Sequence, residues 1–448
     1  MKLSSVANAR LAGGGDRVVW GAGLFALGGF ADRVGLTGAL SAAVPRRGER
    51  APVHDRGALL VHLLLVLAGG GEACTDIEHL RSQRDLFGPV GSHSTLYRAL
   101  RGIDGSGLGA LWGAAATARG EAWSKRRGSG PLVLDIDSTL VEVHSENKQG
   151  AAPHYKGGFG FHPMMCSTGD GEPLWVKLRP GNAAANDIAD HIEVLDAAIS
   201  VLPDADAAGH RAGDDAALGG REMVLRVDAG GCSARIAEAC RDRNITFFMS
   251  ARATAGIDAA IAAARCDPRR WSAAVANPKQ RRSKAHVAEL TDLVDLSGWP
   301  EGTRLIIRRE PLHPGAQRSL FDSDNFRYWG FLTNATAGPA RLDKLMRKHA
   351  DVEDAVARLK DSGLARMPFT AWDANCAWAA LCTISAALVH WFQTHCLTGP
   401  LKRAAPKRLR WTLWHLPALV CETGRRVKLR LPTAHPGAKA LLAAQHPN

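Results

Sequence analysis

The sequence has no CxxC pair, and its nine cysteines stand at no Cys/His spacing typical of a metal site. That argues against a disulfide framework or structural zinc and points to free thiols in a reducing compartment. No apolar run reaches the ~20 residues of a membrane span. Residues 18–31 are broken by four glycines and residues 58–68 by His62. The start, with Arg10, three glycines at 13–15, Asp16 and Arg17, does not read as a signal peptide. There is no internal repeat and no low-complexity tract. With 46% apolar and 22% charged residues the composition is ordinary for a globular protein, which excludes a wholly disordered, collagen-like or coiled-coil chain. A length of 448 residues suggests about three domains.

What is present is positive charge. Lys and Arg number 56 against 44 Asp and Glu, a net +12. Such an excess favours a polyanionic partner, nucleic acid before membrane. Nine of the basic side chains (Lys402, Arg403, Lys407, Arg408, Arg410, Arg425, Arg426, Lys428 and Arg430) share the stretch 401–430 with a single acid, Glu422. The expectation is a soluble, cytoplasmic, multidomain protein that touches nucleic acid and no membrane.

Residues 1–122 read as helical. A Leu-rich stretch at 57–68, a short helix opened by Thr75 and Asp76, a glycine-bearing turn at 87–91 and a helix capped by Ser94 or Thr95 have the outline of a helix-turn-helix carrying Arg98. A polar linker follows at 122–130. Residues 132–137, 158–166, 173–178, 223–227 and 244–249 read as strands, with a hairpin turn at 167–171. Ile188, Ile192, Leu195, Ile199 and Leu202 mark a helix behind Asn182 or Asn186, and a helix around Ile236 and Cys240 follows Gly230 and Gly231. Residues 255–334 interrupt this α/β order with a basic loop that includes Arg281 and Arg282, and with strand-like runs at 304–308 and 328–332. One helix is predicted over 342–359 and a strongly apolar one around Trp378, Leu381, Ile384, Leu388 and Trp391.

Three acids stand where chemistry is expected. Asp137 and Asp228 each end a strand, and Glu353 lies on the helix after the interruption. Strand ends of an α/β sheet converge on one crevice. Three carboxylates gathered there call for cations, and Mg²⁺ prefers hard oxygen ligands. Two such ions about 3.5–4 Å apart hold the attacking and leaving oxygens of a phosphodiester in line. His349, Glu353 and Lys360 share one helical stripe, since seven residues return to within about 20° of the same face. Asp135 is a second candidate for the first acid.

The sequence resembles the DDE transposases of bacterial insertion sequences, specifically the insertion-sequence thirteen-eighty family. The carrying segments are LDIDST at 134–139, HSENKQGAAP at 144–153, KGGFGFHP at 156–163, LRVDAG at 225–230, HADVED at 349–354 and KDSGL at 360–364. The resemblance implies an α/β fold: an RNase H-like catalytic domain in two parts, 123–250 and 335–400, with a β-containing insertion at 251–334. An all-helical N-terminal DNA-binding or dimerisation domain at 1–122 would precede it, and a basic tail at 401–448 would follow. It implies catalysis and metal binding by Asp137, Asp228 and Glu353 with two Mg²⁺ ions, Mn²⁺ substituting. DNA contacts are expected from Lys360, His349, Arg98, Arg281, Arg282, Lys407, Arg408 and Arg410. Related transposases carry a Tyr-x2-Arg-x3-Glu-x6-Lys signature; here Met346 and His349 occupy the Tyr and Arg positions. The expected partners are double-stranded DNA, as terminal inverted repeats and target, and a second copy of the chain.

Two alternatives compete. LVLDIDST at 132–139 also matches the nucleophile motif of haloacid-dehalogenase-type phosphatases, with Asp135 as nucleophile, Asp137 as general acid and Asp214 and Asp215 in an imitation of their metal motif. A catalytically inactive, DNA-binding derivative of a transposase is the other. His144, His154 and His162 have no cysteine at ligand spacing and carry little weight as a zinc site.

Overall fold

A computed structural model describes residues 17–44, 53–124, 130–275, 284–312, 325–423 and 426–444. Its spine is a nine-stranded mixed sheet. The strands are β1 (Leu132–Ser138), β2 (Met164–Thr168), β3 (Pro173–Lys177), β4 (Met223–Val227), β5 (Ile245–Ser250), β6 (Ser272–Ala273), β7 (His286–Glu289), β8 (Arg304–Pro311) and β9 (Phe326–Thr333), in the spatial order β6-β7-β8-β9-β5-β4-β1-β2-β3. β4 lies parallel to both β1 and β5, while every other neighbour is antiparallel. Central strands buried on both faces explain why β1, β4 and β5 read as short apolar runs.

Alternation sends the two sets of side chains to different layers. Val133, Val224, Phe248, Ile306 and Phe331 pack with Leu342 and Met346 of helix Pro339–Arg347. Leu134, Leu225 and Phe247 join Val194 and Leu195 of helix Ile188–Ser200 and Ile236 and Ala237 of helix Ala234–Asp242. Helix Ile188–Ser200 is capped by Asp187, which accepts from the Asp190 amide at 2.9 Å, and not by Asn182 or Asn186, the two expected caps.

The stretch read as one strand at 158–166 is two. Phe159–Phe161 belongs to a small separate sheet and Met164–Thr168 to the large one. Pro163 lies between them; it has no amide to donate, and its carbonyl accepts from the Thr139 amide at 2.9 Å. The predicted helix over 342–359 is likewise divided into Pro339–Arg347, a 3₁₀ turn at Lys348–Ala350, and Asp351–Leu359. Residues 251–334 add helix Ala255–Arg265 and four strands to the edge of the same sheet; Phe331–Thr333 of β9 pair with Phe248–Ser250 of β5. They form no sheet of their own among the described residues.

Helices Ala22–Arg33, Leu36–Ala43, Arg56–Ala68, His93–Arg101 and Gly105–Ser124 share one continuous core with helix Trp372–Cys396. Ser385 Oγ donates to the Leu64 carbonyl at 2.7 Å across that core. Arg119, 1% exposed, clamps the layer to the turn after β2: its Nε donates to Glu172 at 2.7 Å, which also accepts from Trp123 Nε1 at 2.9 Å. Helix Trp372–Cys396 is long and apolar enough to cross a membrane, but 89% of its apolar window is buried in this fold.

The basic C-terminal stretch is folded into the core. Leu409, Leu413, Trp414 and Leu416 are buried, whereas Trp411 is exposed. Pro417–Thr423 pairs with both Arg426–Arg430 and Val18–Trp20. Gly23 permits the close approach of the first helix, because a Cβ there would stand 2.1 Å from the Leu413 carbonyl oxygen.

Candidate active site at the carboxyl ends of the parallel strands

The register of β1 and β4 carries the site. Ile136 lies opposite Val227 in a parallel pair, so the following residues, Asp137 and Asp228, leave the same end of neighbouring strands. Such strands run about 4.8 Å apart. Glu353 lies in the first turn of helix Asp351–Leu359, whose buried stripe is Val352, Ala355 and Leu359. This helix packs against β1 and β2.

Burial pushes the Asp137 carboxyl up to about 6, and the negative charges of Asp228 and Glu353 add to the rise. The Ser138 amide, donating to Asp137 Oδ1 at 2.7 Å, and the nearby His349 oppose it. Asp228 and Glu353 therefore both stand near enough to Asp137 for their charges to be felt there. The three acids do not close into a cage: among the described residues no group of three or more His, Cys, Asp or Glu side chains gathers closely enough to hold one ion. The donor set is nevertheless all hard carboxylate oxygen, and mutual repulsion is what a divalent cation relieves.

Asp135 is engaged otherwise. It lies opposite Arg226 in the register, and both side chains are almost fully buried. Arg226 Nε and Nη2 donate to the two Asp135 oxygens at 2.7 and 2.6 Å, and Arg226 Nη1 donates to the Leu345 carbonyl at 2.8 Å. His349 Nδ1 stands 2.7 Å from Asp135 Oδ1. This network ties β1 and β4 to the end of helix Pro339–Arg347 and to the 3₁₀ turn that leads into the Glu353 helix. Arg226 is a residue that sequence reasoning does not single out. Its only signal is a lone cation inside an apolar strand, which needs a buried partner.

Lys360 Nζ donates to the Leu140 carbonyl at 2.9 Å, three residues beyond Asp137. Burial and the like charge of Lys156 lower its pKa, against the pull of Asp137 and Glu142. The other expected DNA contacts lie elsewhere. Arg98 is exposed on helix His93–Arg101, capped by Ser92 rather than Ser94 or Thr95, with its Nε on the Ser94 carbonyl at 3.2 Å. Lys407 and Arg408 are exposed on the short helix Pro406–Leu409. Arg410 is half-buried and turned inward, donating to the carbonyls of Ala68 and Asp361. His349 is likewise held inside, by Asp135. Arg281 and Arg282 lie outside the described residues.

The phosphatase alternative meets two obstacles. A carboxylate held bidentately by a buried guanidinium makes a poor nucleophile. The loop containing Asp214 and Asp215 sits at the other end of the sheet: Asn244, which precedes the parallel strand β5, donates to the carbonyls of Gly209 and Asp214 at 2.9 and 2.8 Å.

A protein-family model described as transposase DDE domain group 1 matches residues 2–446. No curated protein matches the chain.

Proposed function

Since the chain belongs to the group 1 family of transposase DDE domains, we propose that it cuts DNA at the terminal inverted repeats of an insertion sequence and joins the 3′ ends to target DNA. The observation that carries this reading is the alignment of Asp137 and Asp228 at adjacent strand ends, with Glu353 acting on Asp137 from the helix packed beside them. We read β3-β2-β1-β4-β5 as an RNase H-like core, since three antiparallel strands continue into two that run parallel to the first. The element is of the insertion-sequence thirteen-eighty kind, acts in the cytoplasm, and brings two DNA ends together through a dimer.

Asp137, Asp228 and Glu353 are the residues that would hold divalent cations. Two bound Mg²⁺ ions, or Mn²⁺ in their place, would supply charge stabilisation at the attacking and leaving oxygens. Asp137 must be deprotonated to take part. The Asp135–Arg226–His349 network fixes the helix that presents Glu353. Lys360, anchored on Leu140, offers its ammonium beside Asp137 to a strand phosphate. The helical layer and the exposed Lys407 and Arg408 carry binding to flanking DNA.

The decisive experiment incubates the purified full chain, with Mg²⁺ or Mn²⁺, with a duplex bearing the inverted repeat that borders its gene. The expected product is a break at the repeat boundary leaving a 3′-hydroxyl. Absence of cleavage in both cations, with the DNA bound, would leave an inactive DNA-binding derivative.

Two further outcomes follow from the site and the tail. Because the Asp137 carboxyl is raised to about 6, its proton competes with cations below that pH. Mn²⁺ affinity measured by calorimetry should fall as pH drops from 7 through 6 to 5, and Asp137→Asn should flatten the dependence. The sign for stability is opposite to that of an ion-paired acid. The folded chain binds more protons than the unfolded one between about pH 4 and 6, so this group's contribution to stability declines as pH rises through that window.

For the tail, deletion of 401–448 would remove core residues Leu413 and Trp414 and so test folding rather than phosphate binding. The double variant Lys407→Ala/Arg408→Ala leaves the core intact. For every phosphate that the variant no longer neutralises, the slope of log K against log salt should fall by about 0.9, on repeat and random duplexes alike. An unchanged slope would assign these charges to solvation alone.

A further inference from the structure

Between β1 and β2 the chain leaves the large sheet for residues 139–163. There it builds a three-stranded sheet from Val141–Glu142, Ala152–Pro153 and Phe159–Phe161, the last in the middle. The base of this excursion is closed by the Thr139 amide on the Pro163 carbonyl at 2.9 Å, two residues from Asp137. Its flank is bolted to the segment that opens the long core helix. Lys148 Nζ donates to the Phe369 carbonyl at 3.1 Å, the Gln149 amide to the Thr370 carbonyl at 2.9 Å, and the Trp372 amide to Gln149 Oε1 at 3.0 Å.

At its tip, residues 154–158 form a tight turn built around a buried imidazole. The His154 side chain is only 1% exposed. The His154 amide donates to the Gly158 carbonyl and the Gly157 amide to the His154 carbonyl, both at 2.9 Å, and His154 Nδ1 accepts from the Lys156 amide at 3.3 Å. Gly157 has a φ of +84°, and a Cβ on Gly158 would stand 2.5 Å from His154 Nε2. Both glycines are therefore required by the turn. What this construction lifts into solvent is an aromatic ring and a cation. Tyr155 is 73% exposed, and the Lys156 ammonium lies 5.7 Å from its ring centre. Lys156 also stands close enough to Lys360 for their charges to repel, and Lys360 in turn is held on the Leu140 carbonyl and feels Asp137.

We propose that this turn holds an unpaired nucleotide beside the scissile phosphodiester, with Tyr155 stacked on the base and Lys156, together with Lys360, on the adjoining phosphate. The inference rests on the transposase reading above. Bases inside a duplex hide their faces on one another. A base freed at a nick, gap or frayed end presents a π-face that an exposed aromatic side chain can cover. A phosphate between the two ammonium groups relieves their repulsion. The stiff mounting of the turn on β1 and on segment 367–372 means that little order has to be acquired on binding.

The test uses the full chain and two fluorescent probes of random sequence: an intact duplex, and the same duplex with a central single-stranded gap carrying 2-aminopurine. Wild-type protein should bind the gapped probe more tightly and quench its 2-aminopurine. Tyr155→Ala should weaken gapped-probe binding by about 5- to 100-fold and abolish quenching, while changing intact-duplex binding less than about twofold. Tyr155→Phe should restore both. Lys156→Gln should lower the salt slope on the gapped probe by about 0.7, and Lys156→Arg should retain it. Gly158→Ala, which drives a methyl into His154, should reproduce the Tyr155→Ala loss without touching the ring. Unaltered gapped-probe binding and quenching in Tyr155→Ala overturns the proposal while leaving the transposase reading in place. A wild-type chain that binds neither probe overturns both.

Discussion

Asp228→Asn is expected to lower metal-dependent strand cleavage by more than about 100-fold, since even outer partners of metal ligands are worth about 10–100-fold. Binding to the same DNA should be unchanged or tighter. The substitution keeps the shape of the side chain and removes one negative charge from a place where phosphate has to approach. Asp228 follows the last residue of β4 and is not part of the buried Asp135–Arg226 pair, so the fold should tolerate the change. Gel-based cleavage and anisotropy binding on one preparation separate the two effects. Cleavage at the wild-type rate in Asp228→Asn would refute the assignment of this acid.

The second large effect is on stability. Asp135→Ala leaves the Arg226 guanidinium, 3% exposed, without its counter-charge and removes the partner of His349. Breaking a buried pair from one side costs about 3–5 kcal/mol. The urea midpoint should fall accordingly, with the slope little changed. The double variant Asp135→Leu/Arg226→Met should recover part of the loss, because it removes both charges together. A loss below about 1 kcal/mol in Asp135→Ala would mean that water reaches the pair. Asp135→Ala should also depress cleavage through the Glu353 helix, and more steeply than an equal destabilisation made at Trp414, far along the chain in the C-terminal packing.

Much of this architecture is legible in the sequence. Residues 132–137, 223–227 and 244–249 declare themselves as strands because a central strand covered on both faces is a short apolar run, and 173–178 reads as a strand although it lies at the edge of the sheet. Helix Ile188–Ser200 shows in its three-to-four spacing. The strand-end positions of Asp137 and Asp228 follow directly from those readings. The Asp135–Arg226 pair does not, because it depends on the register of strands 91 positions apart, which local pattern does not encode. Nor does the inward turn of Arg410 and His349: a cation looks the same in sequence whether it meets phosphate or a carbonyl. The tail hides its structure for a related reason. In Arg426–Arg430 the apolar residues alternate with basic ones, so the strand pattern there is masked by charge.

The pairing of Val18–Trp20 with Pro417–Thr423 has a consequence for synthesis. The two partners are separated by about 400 residues, so the contact closes a long loop and cannot form until the later strand has been made. Helix Ala22–Arg33 leaves the ribosome well before the surface made by Leu413, Trp414 and Leu416 that covers it. A gene copy interrupted by an early stop codon would therefore yield a fragment with an uncovered core, open to proteolysis, rather than a stable competitor of the intact chain.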